Sequence, residues 1–403
     1  TDIVAVSDKG TVIFSKAPST PADPSIGVMD AIARLSHELR TESAVLLSKT
    51  ERIVHGTTVA TNALLERKGA KTGLLTTIGH RDVLEMREGL KDDRYNMRLA
   101  APETLVPRYL RLGVKERIRP DGSIHLPLDN DSLDAAIEKL KEADVTSIAV
   151  CYLHAYKESK HEKETRARIE LKLPGVSVSL SSEVFPEIKE YERVSTTVVN
   201  AYVRPVVEKY LRKLGDRLRE TGYQGPVLII LSHGGVAPID EAVRLAAGTV
   251  LSGPAGGVAG SRYGSSLIGA ENLVPFDMGG TSTDISMIVN GEPALSSTRG
   301  IAGQRVALQS LDIVSIASGG GSIARVDNGG ILRVGPESAG AVPGPACYGK
   351  GGVEVAVTDA SVVLGFLDPN NFLGGRESLD KEAAEVAVDK LASKLSVSRA
   401  EAA

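Results

Sequence analysis

The stretch LVPFDMGGTSTDISMIV, residues 273–289, decides the reading of this chain: two apolar segments flank a glycine pair and three hydroxyl residues in a row. That pattern predicts a β-hairpin with a functional turn. Gly279 and Gly280 can adopt backbone conformations closed to other residues, so successive N–H groups can point into one concavity and hold phosphate oxygens. Thr281, Ser282 and Thr283 add hydroxyl donors. Asp277, at the end of the first strand, is placed to hold a magnesium ion through its waters, and Asp284 opens the return strand. An ordinary hairpin closed by a Gly-Gly turn is the plainer alternative, but such a turn needs neither a flanking aspartate nor a hydroxyl triplet.

Of the 41 glycines, 26 fall between residues 225 and 352, interrupted by apolar segments such as VLIIL and VALQSL. A linker or disordered tract would lack those segments, so the glycines indicate tight turns and close backbone approach. SGPAGGVAGSRYGSS (252–266) predicts a helix whose small face lets another helix or a strand turn approach closely; it resembles the helix that packs near the nucleotide cleft in one well-known superfamily, and plain close packing explains it as well. Gly319, Gly320 and Gly321 could bring backbone close to nucleotide or substrate, and a packing turn explains them as well.

The N-terminal half alternates strand and helix, which indicates an α/β architecture. IVAV and TVIF form a hairpin (3–14), and Asp23-Pro24 starts a helix. RIVHGTTVATNALLERKGAKTGLLTT (52–77) reads as one βαβ unit. Its turn carries His55, Thr57, Thr58, Thr61 and Asn62, where backbone donors and the helix dipole favour an anionic or carbonyl ligand, or where a threonine simply caps the helix. Arg81 and Asp82 could clamp a substrate carboxylate or simply pair with each other, and the salt bridge is the favoured reading. Strand segments over 105–128 turn at PDG, and a helix (131–143), a strand (146–153), a charged helix (157–173) and a strand (176–180) follow. A long helix over 191–220 contains Pro205. A domain boundary near residue 185 gives domains 1–185 and 186–403, and 380–395 reads as an exposed helix.

Composition narrows the function. With 403 residues, 42% apolar and 24% charged, the chain is globular and long enough for two or three domains. A net charge of −4 offers no footprint for nucleic acid or an anionic membrane. The longest uncharged stretch, 221–239, is broken by glycine and proline and is too short in apolar residues to span a bilayer. Cys151 and Cys347, with no CxxC, build neither a disulfide framework nor a thiolate zinc site, which points to the cytoplasm. Cys347 has no assignable base and is expected to be a small buried hydrophobe rather than a nucleophile. His154 and His161 lack a metal-ligand spacing and read as solvated helix residues. The chain opens on a strand pattern at Thr1-Asp2 and stops in a helical one at Ala403, so both ends look cut.

The order small-residue helix, strand, DMGGTSTD, strand is similar to the phosphate motifs shared by sugar kinases, actin and chaperone ATPases. HGTTVATNALLERKGAKTGLLTTIGHRDVLEMREG (55–89), EYERVSTTVVNAYVRP (190–205), SGPAGGVAG, FDMGGTSTD and the Gly-rich run 317–352 together resemble the hydantoinase/oxoprolinase family, its A-type subunit. The resemblance implies a two-lobed actin-like (ribonuclease H-like) α/β ATPase fold, truncated at both ends. It implies ATP-dependent opening of a cyclic amide (hydantoin, N-methylhydantoin or 5-oxoproline type): the ring carbonyl oxygen is phosphorylated and the activated ring hydrolyses. ATP and Mg2+ are the implied cofactors, and a second large B-type subunit the implied partner. Asp277, Gly279, Gly280, Thr281, Ser282 and Thr283 match the family's second phosphate hairpin, and Thr1-Asp2 resemble the end of the first, making Asp2 a second metal candidate. Gly319 and Gly320 join the nucleotide set, His55, Thr57, Thr58 and Asn62 form the substrate wall, and Asp277, Thr58 and Asn62 are the catalytic candidates. An ATP-dependent ketone carboxylase subunit and a non-metabolic nucleotide switch are the rival readings.

Overall fold

A computed structural model describes residues 1–403 apart from 18, 19, 21, 22, 90–94, 101, 102, 281, 317, 341, 373, 374 and 376. The chain divides into two compact units, one of residues 1–256 with 295–311 and one of 257–294 with 312–403.

The first unit opens with the antiparallel hairpin β1 (Asp2–Val6) and β2 (Val12–Lys16). Helix α1 (Pro24–Glu38) starts where expected: Asp23 caps it, its side chain accepting from the Ser25 N–H while Lys213 and Arg217 sit at 2.6 and 2.9 Å. Those hydrogen bonds, led by Lys213 and Ser25, hold the Asp23 carboxyl down at about 2.

Strand β3 (Ile53–His55), helix α2 (Val59–Leu65) and strand β4 (Thr72–Thr77) follow the sequence reading element by element. They do not make a βαβ unit. β3 pairs in parallel with β10 (Val227–Ile230), which pairs with β11 (Val236–Pro238). β4 instead lies in a four-stranded parallel sheet between β5 (Arg111–Val114) and β8 (Ser147–Cys151), with β9 (Ser177–Leu180) outside β8. β4 and β8 are buried along their whole length, as central parallel strands are. The PDG turn joins the short strands β6 (Arg117–Ile118) and β7 (Ile124–Leu126), and helices α3 (Asn130–Glu142) and α4 (Lys160–Lys172) make the crossovers.

The 31-residue helix α5 (Glu190–Glu220) runs through Pro205 and explains the two sheets. Val194, Val198 and Ala201 join the apolar cluster of the four-stranded sheet, whereas Val199, Tyr202, Val203 and Val207 join the cluster around Ile229, Ala60 and Leu64. One helix thus serves two cores, and the strands on either side of α2 each enter a different one.

Helix α6 (Ser252–Ile268) has its first turn in the first unit. In the second unit, β12 (Phe276–Met278), β13 (Thr283–Ser286) and β14 (Ile313–Ile316) form an antiparallel sheet. α7 (Val357–Val363) and α8 (Lys381–Leu395) pack beyond it. α8, expected to be an exposed helix, buries Ala384, Ala387, Val388, Leu391 and Ala392: from Ala387 onward this one-sided, mostly alanine stripe joins a cluster with Ala346, Val355 and Ala402.

Candidate functional site

The hairpin at 276–286 forms as the sequence predicts. Asp277 stands directly opposite Asp284, so their side chains share one face of the sheet. Asp277 is exposed, and Asp284 accepts a hydrogen bond from the Ser315 hydroxyl. Like charges placed opposite each other repel, and a cation on that face would relieve them.

The bend has a polarity. The Gly279 N–H closes the turn on the Ser282 carbonyl at 2.9 Å. The carbonyls of Gly279 and Gly280 accept from the N–H groups of Gly320 and Gly321 at 2.9 and 2.7 Å. The Gly280 N–H has no partner among the described residues, and a Cβ at that position would meet nothing within 4 Å. Acceptors are therefore taken up by protein while one donor is left without a partner among the described residues. Neither Gly279 nor Gly280 takes a left-handed φ, so the conformational reason expected for them does not apply. Thr283 is buried and donates to the Ser318 carbonyl, which ties the sheet to the glycine triplet rather than presenting the hydroxyl. Thr281 lies outside the described residues.

The triplet itself is a packing element. A Cβ at Gly319 would fall 2.7 Å from both the Gly279 oxygen and the Ser282 nitrogen, one at Gly320 2.8 Å from the Thr358 hydroxyl, and one at Gly321 2.8 Å from the Gly280 oxygen. Thr358 bonds the Gly320 carbonyl from both its N–H and its hydroxyl.

The HGTTVATN turn lies in the first unit. His55 hydrogen-bonds Tyr210 through Nε2 at 2.7 Å, and desolvation pulls its pKa down to about 4, so the imidazole is neutral near pH 7. Thr57 is buried: its N–H donates to the Ser252 hydroxyl, which donates back to the Thr57 carbonyl. Thr61 accepts from the Leu251 N–H. Thr58 and Asn62 are exposed one helical turn apart, the Asn62 amide donating to the Thr58 hydroxyl at 3.3 Å.

Asp2 is 3.1 Å from Lys16. No group of three or more His, Cys, Asp or Glu able to hold a metal occurs among the described residues. Magnesium bound to nucleotide commonly takes only one or two carboxylates, the rest of its shell being phosphate and water, so exposed Asp277 beside Asp284 suits it. Among the described residues no helix is long and apolar enough to cross a membrane.

Residues 193–403 match the family described as hydantoinase/oxoprolinase, and residues 1–173 match that family's N-terminal region. The chain belongs to the hydantoinase/oxoprolinase family. It is 39% identical over 401 residues to the caprolactamase subunit alpha of Pseudomonas jessenii, covering 99% of this chain and 58% of the relative. It is 37% identical over 419 residues to the acetophenone carboxylase gamma subunit of Aromatoleum aromaticum, covering 100% of this chain and 57% of that one. Its α/β fold matches the crystal structure of the ATP-dependent caprolactamase from P. jessenii with a TM-score of 0.84 and 38% identity, over 100% of this chain and 58% of the other. The chain thus spans a little over half the length of these relatives.

Within this family member, the residues picked from sequence separate into two kinds. Asp277, Gly280, Ser282, Thr58 and Asn62 lie at the surface of their turns or half-exposed, while His55, Thr57, Thr283, Gly319 and Gly320 are committed to bonds or packing inside their own unit. Ser252 and Thr358, which hold the two turns, were missed. Ser252 had a signal, a serine opening a small-residue helix; Thr358 had none. Asp82 pairs with Arg108 at 2.9 Å, closer than the 3.9 Å to its expected partner Arg81. His161 is buried against Glu116 at 2.8 Å rather than solvated. Cys347 is fully buried, and burial together with the neighbouring Asp359 carboxylate pushes its thiol pKa far up, which excludes a resting thiolate.

Proposed function

We propose that this chain is the nucleotide-handling part of an enzyme that uses ATP and magnesium to activate the carbonyl of a cyclic amide for hydrolysis. The observation that carries the reading is the polarity of the Gly279-Gly280 bend: both carbonyls are held by protein, while the Gly280 N–H has no partner among the described residues and is free to meet an anion. In this reading the Gly280 N–H and the Ser282 hydroxyl donate to phosphate oxygens. Asp277, with Asp284 opposite, holds the magnesium ion, which supplies neutralisation of phosphate charge when bound; Asp2, beside Lys16 in the first unit, is proposed as a further metal-binding carboxylate. Exposed Thr58 and Asn62 donate to the substrate carbonyl and fix its orientation, while His55, Thr57 and Ser252 set the shape of that turn. An unstrained lactam is a poor electrophile; transfer of phosphate to its oxygen makes the ring carbon attackable by water.

The family relatives described as caprolactamase support a cyclic amide, and their subunit names support a partner chain, proposed here as a B-type subunit. A second reading, carboxylation of a ketone, is supported by the acetophenone carboxylase gamma subunit, which matches the whole of this chain. The test is phosphate release by the full-length protein with its partner across 5-oxoproline, hydantoin, caprolactam, and acetophenone with and without bicarbonate. Stimulation by a lactam without bicarbonate supports the first reading; bicarbonate-dependent stimulation by the ketone alone replaces it with the second.

A further inference from the structure

The carboxyl edge of the four-stranded parallel sheet carries a set of side chains that the proposed nucleotide and lactam chemistry does not use. In open α/β sheets that edge is where ligands bind. After β4 comes His80, after β5 come Glu116 and Arg117, and after β8 come His154 and Tyr156; Arg193 arrives from the first turn of α5. An Arg117 guanidinium nitrogen lies 3.3 Å from His80 Nε2. His154 Nδ1 lies 3.3 Å from the Tyr156 hydroxyl, and the Tyr156 ring has the Arg193 guanidinium 5.3 Å and Lys157 Nζ 5.9 Å from its centre.

The charges here are unbalanced. Arg193 is buried; its terminal nitrogens bond to the backbone carbonyls of Glu187 and Tyr152, its guanidinium lies beside the Cys151 thiol, and its Nε is buried with no hydrogen-bond partner among the described residues. None of Arg117, Lys157 and Arg193 joins an ion pair among the described residues. The acids near the cluster are Glu116, already bonded to Thr77 and His161, Glu190, and buried Glu162, whose carboxylate is taken up by the Tyr152 and Ser182 N–H groups and the Ser181 hydroxyl rather than by Arg193. A buried guanidinium without a carboxylate is costly unless something anionic compensates it. His154 also holds a left-handed φ of 57°, a conformation that costs energy outside glycine and fixes the imidazole on this edge.

We propose that this edge is a binding site for a compact oxyanion, a carboxylate or a phosphate, gripped by Arg117 and Arg193 with His80 and His154 as hydrogen-bonding flanks. Arginine's planar fork suits either anion. Both imidazoles have pKa values lowered by burial first and by the Arg117 charge second, so each is a neutral hydrogen-bonding partner that would gain a proton as an anion arrives. The site stands independently of the nucleotide reading.

The test is histidine-resolved NMR on the full chain, titrated separately with inorganic phosphate and with acetate at constant ionic strength. The His80 and His154 resonances are expected to shift saturably and their pKa values to rise, with the other histidines unmoved. Arg117→Gln is expected to weaken binding by about tenfold or more, and His154→Asn, which tolerates the left-handed backbone, is expected to weaken it independently. Saturation by phosphate alone or by acetate alone supports the site and names its anion. No saturable shift with either, or a shift that survives both substitutions, overturns it.

Discussion

A Cβ placed on Gly319 would sit 2.7 Å from the carbonyl oxygen of Gly279, closer than a real carbon and oxygen can approach without something moving. Two glycine segments forty residues apart in sequence are therefore docked backbone to backbone, and the first is held by the second. Gly319→Ala is expected to cost about 1–3 kcal/mol of stability, the range for overpacking a tight site. Gly280→Ala meets open space and should change stability by less than about 0.5 kcal/mol. If the bend serves an anion, the same Gly280→Ala chain should nonetheless bind nucleotide more weakly. Denaturant midpoints alongside nucleotide titration of both variants check this; unchanged nucleotide binding in Gly280→Ala removes the bend from the site.

Cys347 is expected to be chemically inert. Its N–H donates at 2.7 Å to Asp359, whose buried carboxylate also accepts from Ala346 and Ala356, so the acid organises the chain around the thiol and keeps it protonated. A thiol-specific reagent should leave the native protein unlabelled at this position and label it on unfolding, and Cys347→Ala should retain substrate-stimulated phosphate release. Asp359→Asn removes charge from three backbone hydrogen bonds and should lower stability by on the order of 3 kcal/mol.

How much of this was legible in the sequence depended on whether a signal was local. The hairpins, the helix start at Asp23-Pro24 and the strand TGLLTT are written in neighbouring residues, and all formed where expected. The pairing of β3 and β4 with different sheets is not, because it depends on α5, more than a hundred residues downstream, presenting two apolar faces. The same limit applies to the site. Asp277 and Gly280 could be picked from their own turn, but that Thr283 faces Ser318, or that Gly319 is there for Gly279, becomes visible only when distant segments meet. Glycine count revealed close approach without saying what approached. Likewise His161 reads as solvated in sequence because its partner, Glu116, comes from a separate turn of the sheet edge, forty-five residues away.

The neutral His55 links pH to stability. Its pKa lies near 4 in the fold against about 6.5 in an unfolded chain, so below pH 6.5 the unfolded state takes up a proton that the native state refuses. The contribution is fully present above pH 6.5 and declines as pH falls toward 4, by roughly 3 kcal/mol in all. Denaturant midpoints of the wild type and His55→Gln between pH 7.5 and 4.5 test this. The wild type should lose stability more steeply than the variant over that window; parallel curves would show that His55 protonates freely in the native protein.

Thr58 and Thr57 are adjacent residues with opposite expected behaviour, and the contrast separates shape from chemistry in the HGTTVATN turn. Thr57 is buried and tied through its backbone to Ser252, so Ser252→Ala removes both ends of a reciprocal bond and should cost about 1–3 kcal/mol by leaving the Thr57 N–H and carbonyl unpaired. Thr58 is exposed and caps α2 without a side-chain bond to the backbone, and its hydroxyl bonds the Asn62 amide. Thr58→Val should therefore leave the melting temperature within a degree or two of wild type. If the pair orients a substrate carbonyl, Thr58→Val and Asn62→Ala should each lower substrate-stimulated phosphate release about tenfold or more, with nucleotide affinity unchanged. Full activity in both would assign the turn to structure alone, and a loss of nucleotide affinity instead would move these residues to the phosphate side of the site.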